Sequence, residues 1–189
     1  MNRTLLTAAF LAAGLMMSSL PVAADNFPKL ESEAREIVRR FAGELKPELK
    51  HAIAEGGPVN AIEVCSKRAP EIAGRLNRET NWTVTRVSLK PRNRETGTPD
   101  AWEKEVLESF DRRQSAGESP TDLEHAQVTE GNFRYMKAQG VEPLCLTCHG
   151  KTLAPSVQEA LQTNYPEDMA TGYSPGEIRG AFSLKARLK

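Results

Sequence analysis

The chain has 189 residues, and its 25 basic and 25 acidic side chains leave no formal net charge. This balance excludes a protein that binds nucleic acid or an anionic membrane through excess positive charge. Residues 25–189 contain no internal repeat and no Gly/Ser linker, and their number suits a single domain.

The first 24 residues are predicted to be a secretion signal. Arg3 supplies an initial positive charge, and an uncharged run from Leu5 to Leu20 follows it. The run is short for a membrane span and ends at Val22 and Ala24, the small residues that signal cleavage requires. We therefore expect cleavage before Asp25, a periplasmic domain over residues 25–189 and no membrane insertion after cleavage. An uncleaved anchor is the alternative.

Two helices are predicted at the start of the mature chain. Apolar residues recur every three or four positions from Leu30 to Leu49, and Pro47 is expected to kink or restart this helix. Gly56-Gly57 predicts a stop, and a second amphipathic helix follows over Pro58–Leu76. Cys65 lies on the apolar stripe of the second helix, so its thiol is predicted to face inward.

Later elements are predicted from β-branched runs, capping residues and turn residues. They are a strand over Trp82–Leu89, a loop over 91–99, a helix from Asp100 to near Gly117, a hairpin of Leu123–Val128 with Phe133–Lys137, a helix over Pro155–Gln162 and an extended stretch over Ile178–Leu184. Helices and strands occur in separate blocks, which predicts an α+β fold with an antiparallel sheet.

Cys145-Leu-Thr-Cys148-His149 is the strongest chemical motif in the chain. In C-x-x-C-H, two thiols add to the vinyl groups of a porphyrin, and the adjacent histidine binds the iron. With three cysteines and three histidines in the chain, chance would produce this motif in about one such chain in a thousand. The motif therefore predicts one covalent haem c, with His149 as the proximal iron ligand.

Two other interpretations of this motif are open. A thioredoxin-like redox pair normally follows a strand and opens a long helix, and Gly150 directly after His149 suits that poorly. A zinc site is chemically reasonable, because Cys65, Cys145, Cys148 and His149 make up a Cys3His ligand set.

The second axial ligand has several candidates. The second position is either open or filled by one of the donors His51, His125, Met136, Met169 and Cys65. The two histidines stand beside charged residues, which favours solvated side chains, and methionines in strands or loops more often pack than bind metal. Cys65 has no partner thiol once haem takes the other two, although a buried inert thiol is the alternative.

Several segments resemble a family of small bacterial and cyanobacterial c-type haem proteins, long described as a domain of unknown function and also found as sensor modules of histidine kinases. The segments are Asn60–Pro70, Arg86–Asn93, Pro99–Glu103, the C-x-x-C-H motif and Gly176–Ser183. The resemblance implies a PAS-like fold, a short antiparallel sheet flanked by helices, with haem iron held by His149 and Cys65. This chain departs from the family at Arg94-Glu95-Thr96, where Pro and Asn are often found.

The two propionates of a haem need cationic partners. Arg86, Lys90, Arg92 and Arg179 are the candidates, and arginine suits the role because its planar fork can hold a carboxylate by two hydrogen bonds. We favour Arg92 and then Arg86, because they flank the predicted end of the strand.

Electron transfer is the predicted function. Thiolate ligation stabilises ferric iron, so a low reduction potential is expected, with a redox protein as partner. A redox or gas (CO or NO) sensor acting on a membrane partner is the alternative, and the PAS-like resemblance supports it by analogy only. No motif indicates an enzyme, and no nucleic-acid partner is expected.

Overall fold

The computed structural model describes residues 26–188, so the predicted secretion signal lies outside the described residues. The helices are α1 (Phe27–Glu79), α2 (Arg94–Gly97), α3 (Ala101–Ser115), α4 (Leu146–His149) and α5 (Pro155–Asn164), and a 3-10 turn spans Pro143–Cys145. The strands are β1 (Trp82–Val87), β2 (Glu124–Thr129), β3 (Asn132–Gly140) and β4 (Ile178–Arg187).

The four strands form one antiparallel sheet in the order β1-β4-β3-β2. The predicted α+β class, with an antiparallel sheet flanked by helices, is confirmed. The extended stretch expected at the end of the chain is β4, which lies between β1 and β3. The last strand therefore brings the C-terminal segment to the centre of the sheet.

The two faces of the sheet are covered by different helices. Phe41 and Leu76 of α1 pack on one face against Phe182 of β4 and its neighbours. On the other face, Phe110 of α3 packs against Met136 of β3 and its neighbours. Strand residues alternate between faces, so Arg86, which is two residues from Val84 and opposite Phe182, faces α1.

The long helix α1 differs from its prediction. Gly57 has a φ of 72° and is the one residue inside α1 with non-helical backbone angles, so the predicted stop is a kink between two helical halves. The helix does not restart at Pro47, since α1 continues through it with helical backbone angles.

Local capping and turn signals match the structure, with one addition. Asp100 forms the capping box of α3 with Glu103, and the β2–β3 hairpin turns at Glu130 and Gly131, both with positive φ. The predicted loop over 91–99 contains the single turn α2, where the Asn93 side chain accepts a hydrogen bond from the backbone N–H of Thr96. Within residues 26–188, no helix is both long and apolar enough to cross a membrane.

Candidate haem-binding site

The C-x-x-C-H motif forms a compact double turn. The 3-10 turn ends at Cys145, and the single helical turn α4 then carries Cys148 and His149. Residues three apart on one turn share a side, so both thiols are directed to the same side of the motif. At Gly150 a Cβ atom would lie 2.5 Å from the carbonyl oxygen of Leu146, so the chain needs glycine where it leaves the turn.

The loop before β4 folds back along the motif. The backbone N–H of Tyr173 donates to the carbonyl of His149 at 2.9 Å, and Gly172 N–H donates to Gly150 at 3.0 Å. A further backbone bond of 3.0 Å joins Met169 N–H to the carbonyl of Pro91, just before Arg92. The motif is therefore held by two loops that are distant from it in sequence.

A backbone carbonyl determines the proton position on the His149 ring. The Nδ1 atom lies 2.6 Å from the carbonyl oxygen of Ala170. Two lone pairs would repel at this distance, so Nδ1 carries the proton and donates it to Ala170. The Nε2 atom is then the unprotonated nitrogen, which is the form that binds a metal.

His149 is surrounded by positive charge. Arg179 Nε and Arg92 Nη2 lie 3.1 and 3.2 Å from Nδ1. The Arg179 Nε–H is directed at Nδ1 and competes with the Ala170 carbonyl for this nitrogen, but the carbonyl contact is shorter by 0.5 Å and decides the tautomer. With Nδ1 protonated, the two guanidinium groups act on the ring through their charge. Burial, followed by the charges of Arg179 and Arg92, lowers the pKa of His149 to about 2. The imidazole is therefore neutral.

Cys65 lies near Cys148 on the second half of α1. One helical turn earlier, Ile62 packs in a small apolar cluster with α5, and Cys148 packs against that same cluster. Cys65 is half-buried, and burial raises the pKa of its thiol, while the charges of Arg86 and Arg92 act in the opposite direction. A thiol in this setting stays protonated at neutral pH unless a metal ion stabilises the thiolate.

Arg86 and Arg179 bring positive charge to the surroundings of His149 without a matching carboxylate. Neither makes an ion pair with any residue in 26–188. Surrounding protein atoms lower the pKa of Arg86, although part of its side chain is exposed to solvent. Burial also lowers the pKa of Arg179, to about 10. Two unpaired cations that act on one another and on the same imidazole suit an anionic ligand.

Arg92 differs from these two because its donors already have protein partners. Its Nη2 donates to the carbonyl oxygens of Cys148 at 2.5 Å and Ala170 at 3.2 Å, and its Nε donates to Asp168 at 3.3 Å. The Arg92 and Asp168 side chains are only 13% and 9% exposed. Nη1 has no hydrogen-bond partner in the described part of the chain.

The other candidate axial donors lie away from the motif or point into solvent. His51 is exposed on α1 beside Glu55, and His125 lies against Trp102 on the side of the sheet covered by α3. Met136 is fully buried in the core on that same side, and Met169, although next to Ala170, is 48% exposed. Cys65 is the candidate donor that the fold brings beside the motif from the other half of the chain.

The loop over residues 165–173 supplies site residues that sequence reasoning missed. Besides the Ala170 carbonyl and the Asp168 carboxylate, it contributes Tyr173, whose ring stands edge-on to His149 with centroids 6.3 Å apart. Tyr165 lies beside Arg92, whose guanidinium is 6.0 Å from the ring centroid. Gly172 indicated only a loop here, and no signal in the sequence identified its contacts.

The thiols and the imidazole do not gather around one point. No group of three or more His, Cys, Asp or Glu side chains within residues 26–188 is arranged to hold a metal ion. This counts against the Cys3His zinc alternative, which needs four ligands within bonding distance of one ion. The chemistry of the donor set suits a haem, since it comprises two thiols on one turn, an imidazole with a free Nε2 and a further thiol near Cys148.

Comparisons with known proteins agree with this geometry. A family model described as Tll0287-like matches residues 21–186. Among solved structures, the chain is similar to the crystal structure of the cyanobacterial heme-protein Tll0287, with 24% sequence identity and a TM-score of 0.62. The match covers 86% of this chain and 95% of that one, so the two share a fold. No curated protein matches the chain.

Proposed function

This chain belongs to the Tll0287-like family, and from that premise we propose that it is a c-type cytochrome with one haem. Cys145 and Cys148 would attach the haem by thioether bonds, and His149, through Nε2, and Cys65 would bind its iron. The observation that carries this function is the 2.6 Å contact between His149 Nδ1 and the Ala170 carbonyl. It leaves Nε2 as the unprotonated nitrogen beside two thiols on one turn.

One-electron transfer is the activity that this ligand set supports best. His149 and Cys65 together would supply the iron with an imidazole and a thiolate, which would leave no position for a substrate. A thiolate favours ferric iron and therefore a low reduction potential. The protein is thus a carrier rather than an enzyme, exported to the periplasm, with a redox protein as partner.

Arg86 and Arg179 support the cofactor by charge. Neither has a carboxylate partner within residues 26–188, and the charges of both act on His149. The haem propionates supply the negative charge that these guanidinium groups lack. Arg92 can add a contact through its free Nη1.

Sensing is a second candidate, favoured by the environment of Cys65. Burial raises the pKa of its thiol, so protonation competes with iron binding as soon as reduction weakens the iron–sulfur bond. Release of Cys65 would open a position for CO or NO and free the half of α1 that follows the Gly57 kink. A membrane partner would then detect this movement.

Expression with a secretion signal in cells that attach haem c tests the cofactor. Covalent haem should remain on the chain in a denaturing gel and give a c-type pyridine haemochrome spectrum, while Cys145→Ala/Cys148→Ala should lose both. A colourless wild-type protein would overturn the proposal. Addition of CO to the reduced form separates the two activities, since binding favours the sensor and no binding favours the carrier.

A further inference from the structure

We propose that Arg92 is a positioning residue that holds the Ala170 carbonyl on Nδ1 of His149 and thereby sets the donor strength of this ligand. The inference rests on the proposed binding of haem iron by His149. It goes beyond that function by assigning control of the iron ligand to a side chain that does not touch the iron.

Both backbone polar groups of Ala170 are tied to the same ion pair. The N–H of Ala170 donates to Oδ1 of Asp168 at 2.8 Å, and its carbonyl accepts from Arg92 Nη2 at 3.2 Å. Arg92 Nε closes the unit by donating to that same Oδ1 at 3.3 Å. Ala170 itself is fully buried, so its carbonyl has little freedom to move away from His149.

The same guanidinium also reaches the haem motif. Arg92 Nη2 donates to the carbonyl of Cys148 at 2.5 Å, directly before His149. Arg92 therefore joins the residue before the histidine to the loop that accepts its Nδ1 proton. A planar fork can make this set of bonds at once, whereas the single ammonium group of lysine cannot reproduce its geometry.

A hydrogen bond from Nδ1 to a fixed acceptor orients an imidazole and makes its Nε2 a stronger donor. We call the hydrogen bonds that join Arg92, Asp168 and Ala170 the Ala170 clamp. If this clamp is loosened, the Ala170 carbonyl can move away from Nδ1, and His149 becomes a weaker ligand. Ferric iron depends more on donor strength than ferrous iron does, so the reduction potential should rise.

The chain offers a matched control two residues away. Arg94 and Glu167 join the same two segments, with Nη1 3.5 Å from the carboxylate, but their side chains are 55% and 68% exposed. This pair has no hydrogen bond to the haem motif or to Ala170. Substitutions at Arg94 and Glu167 therefore repeat the side-chain changes made at Arg92 and Asp168 without altering the Ala170 clamp.

The experiment compares Arg92→Lys with Arg94→Lys in the haem-loaded protein, since both retain the positive charge. Arg92→Lys should shift the ferric–ferrous equilibrium toward ferrous by up to about tenfold, or about 59 mV for one electron. It should also speed exchange of the Nδ1 proton with D2O, followed by NMR of the ferric protein. Arg94→Lys should change neither.

Two other outcomes would overturn the inference. An unchanged potential and exchange rate in Arg92→Lys would show that Arg92 acts by charge alone, and a lowered melting temperature as the sole effect would make it structural support. If Arg92→Lys does not fold, Asp168→Asn against Glu167→Gln gives the same comparison, with faster Nδ1 exchange expected in the first alone. Wild-type protein that carries no haem would overturn the proposed function itself, so failure of the function can be distinguished from failure of the inference about Arg92.

Discussion

Nδ1 of His149 lies 2.6 Å from the carbonyl oxygen of Ala170, a residue 21 positions further along the chain. This one contact joins the haem motif to the loop before β4 and selects the tautomer in which Nε2 can bind iron. The chemistry of the motif therefore depends on a backbone atom contributed by a distant loop.

Replacement of the proposed second ligand tests the ligand set. We expect Cys65→Ser to lose the low-spin, thiolate-type absorption and EPR spectra of the ferric protein, because a hydroxyl is a far weaker donor than a thiolate. Ser66→Ala, a change at the next residue of α1, should keep the wild-type spectra. A wild-type spectrum of the bis-histidine or His/Met type would contradict the role of Cys65.

Removal of an unpaired cation near His149 should lower the reduction potential. The charge of Arg86 favours the ferrous form, so Arg86→Met should stabilise ferric over ferrous haem by about 1–2 kcal/mol. Potentiometric titration measures this change. Arg78→Met removes an exposed arginine near the end of α1 and should leave the potential close to that of the wild type; equal shifts in both variants would rule out a specific role for Arg86.

A methyl group at Gly150 should disturb the motif itself. Its Cβ would meet the Leu146 carbonyl at 2.5 Å, and a backbone atom cannot give way as a side chain can. Gly150→Ala should therefore lower the free energy of unfolding by about 2–3 kcal/mol, with a lower yield of attached haem.

Gly43→Ala is the matched control for this glycine, because nothing lies within 4 Å of the added methyl group inside α1. Alanine favours a helix interior, so this variant should gain about 0.5–1 kcal/mol. Denaturant unfolding measures both. The absence of any loss in Gly150→Ala would show that the turn after His149 can relax.

Glu124 should contribute stability that depends on pH. Arg35 is the largest cause, with the Tyr135 hydroxyl also donating, and together they lower the pKa of Glu124 to about 2. Because the folded pKa lies below the unfolded value of 4.5, this stability is present above pH 4.5 and is lost as the pH falls toward 2. Because the Arg35 side chain is 47% exposed and solvent screens the pair, the wild type should lose about 1–2 kcal/mol in this window.

Glu124→Gln should be less stable than the wild type at pH 7 and should approach it at pH 2–3, as measured by denaturant unfolding at both pH values. The exposed carboxylate of Glu33, 4.0 Å from Lys29, provides the control. Glu33→Gln should change stability by less than about 0.5 kcal/mol at either pH. A constant difference between Glu124→Gln and the wild type across this range would contradict the assignment.

Predictions that depend on neighbouring residues were confirmed, and those that depend on distant packing were less complete. The Asp100 capping box and the turn at Glu130-Gly131 are set by side chains and backbone angles within a few residues. Pro47 was expected to kink or restart the first helix because it lacks an N–H, but α1 continues through it without a restart. The iron-ligand roles of His149 and Cys65 stay predictions until spectra are measured.

The sequence by itself determined the C-x-x-C-H motif, the family resemblance and the α+β class. Each of these depends only on residue types and on their spacing along the chain. Only the tertiary structure decided that β4 lies between β1 and β3, that Cys65 approaches Cys148, and that Ala170 accepts the proton of His149. A backbone carbonyl is the same group in every residue. No spacing can therefore mark the one that will meet the imidazole, and its role appears only when the loop folds back on the motif.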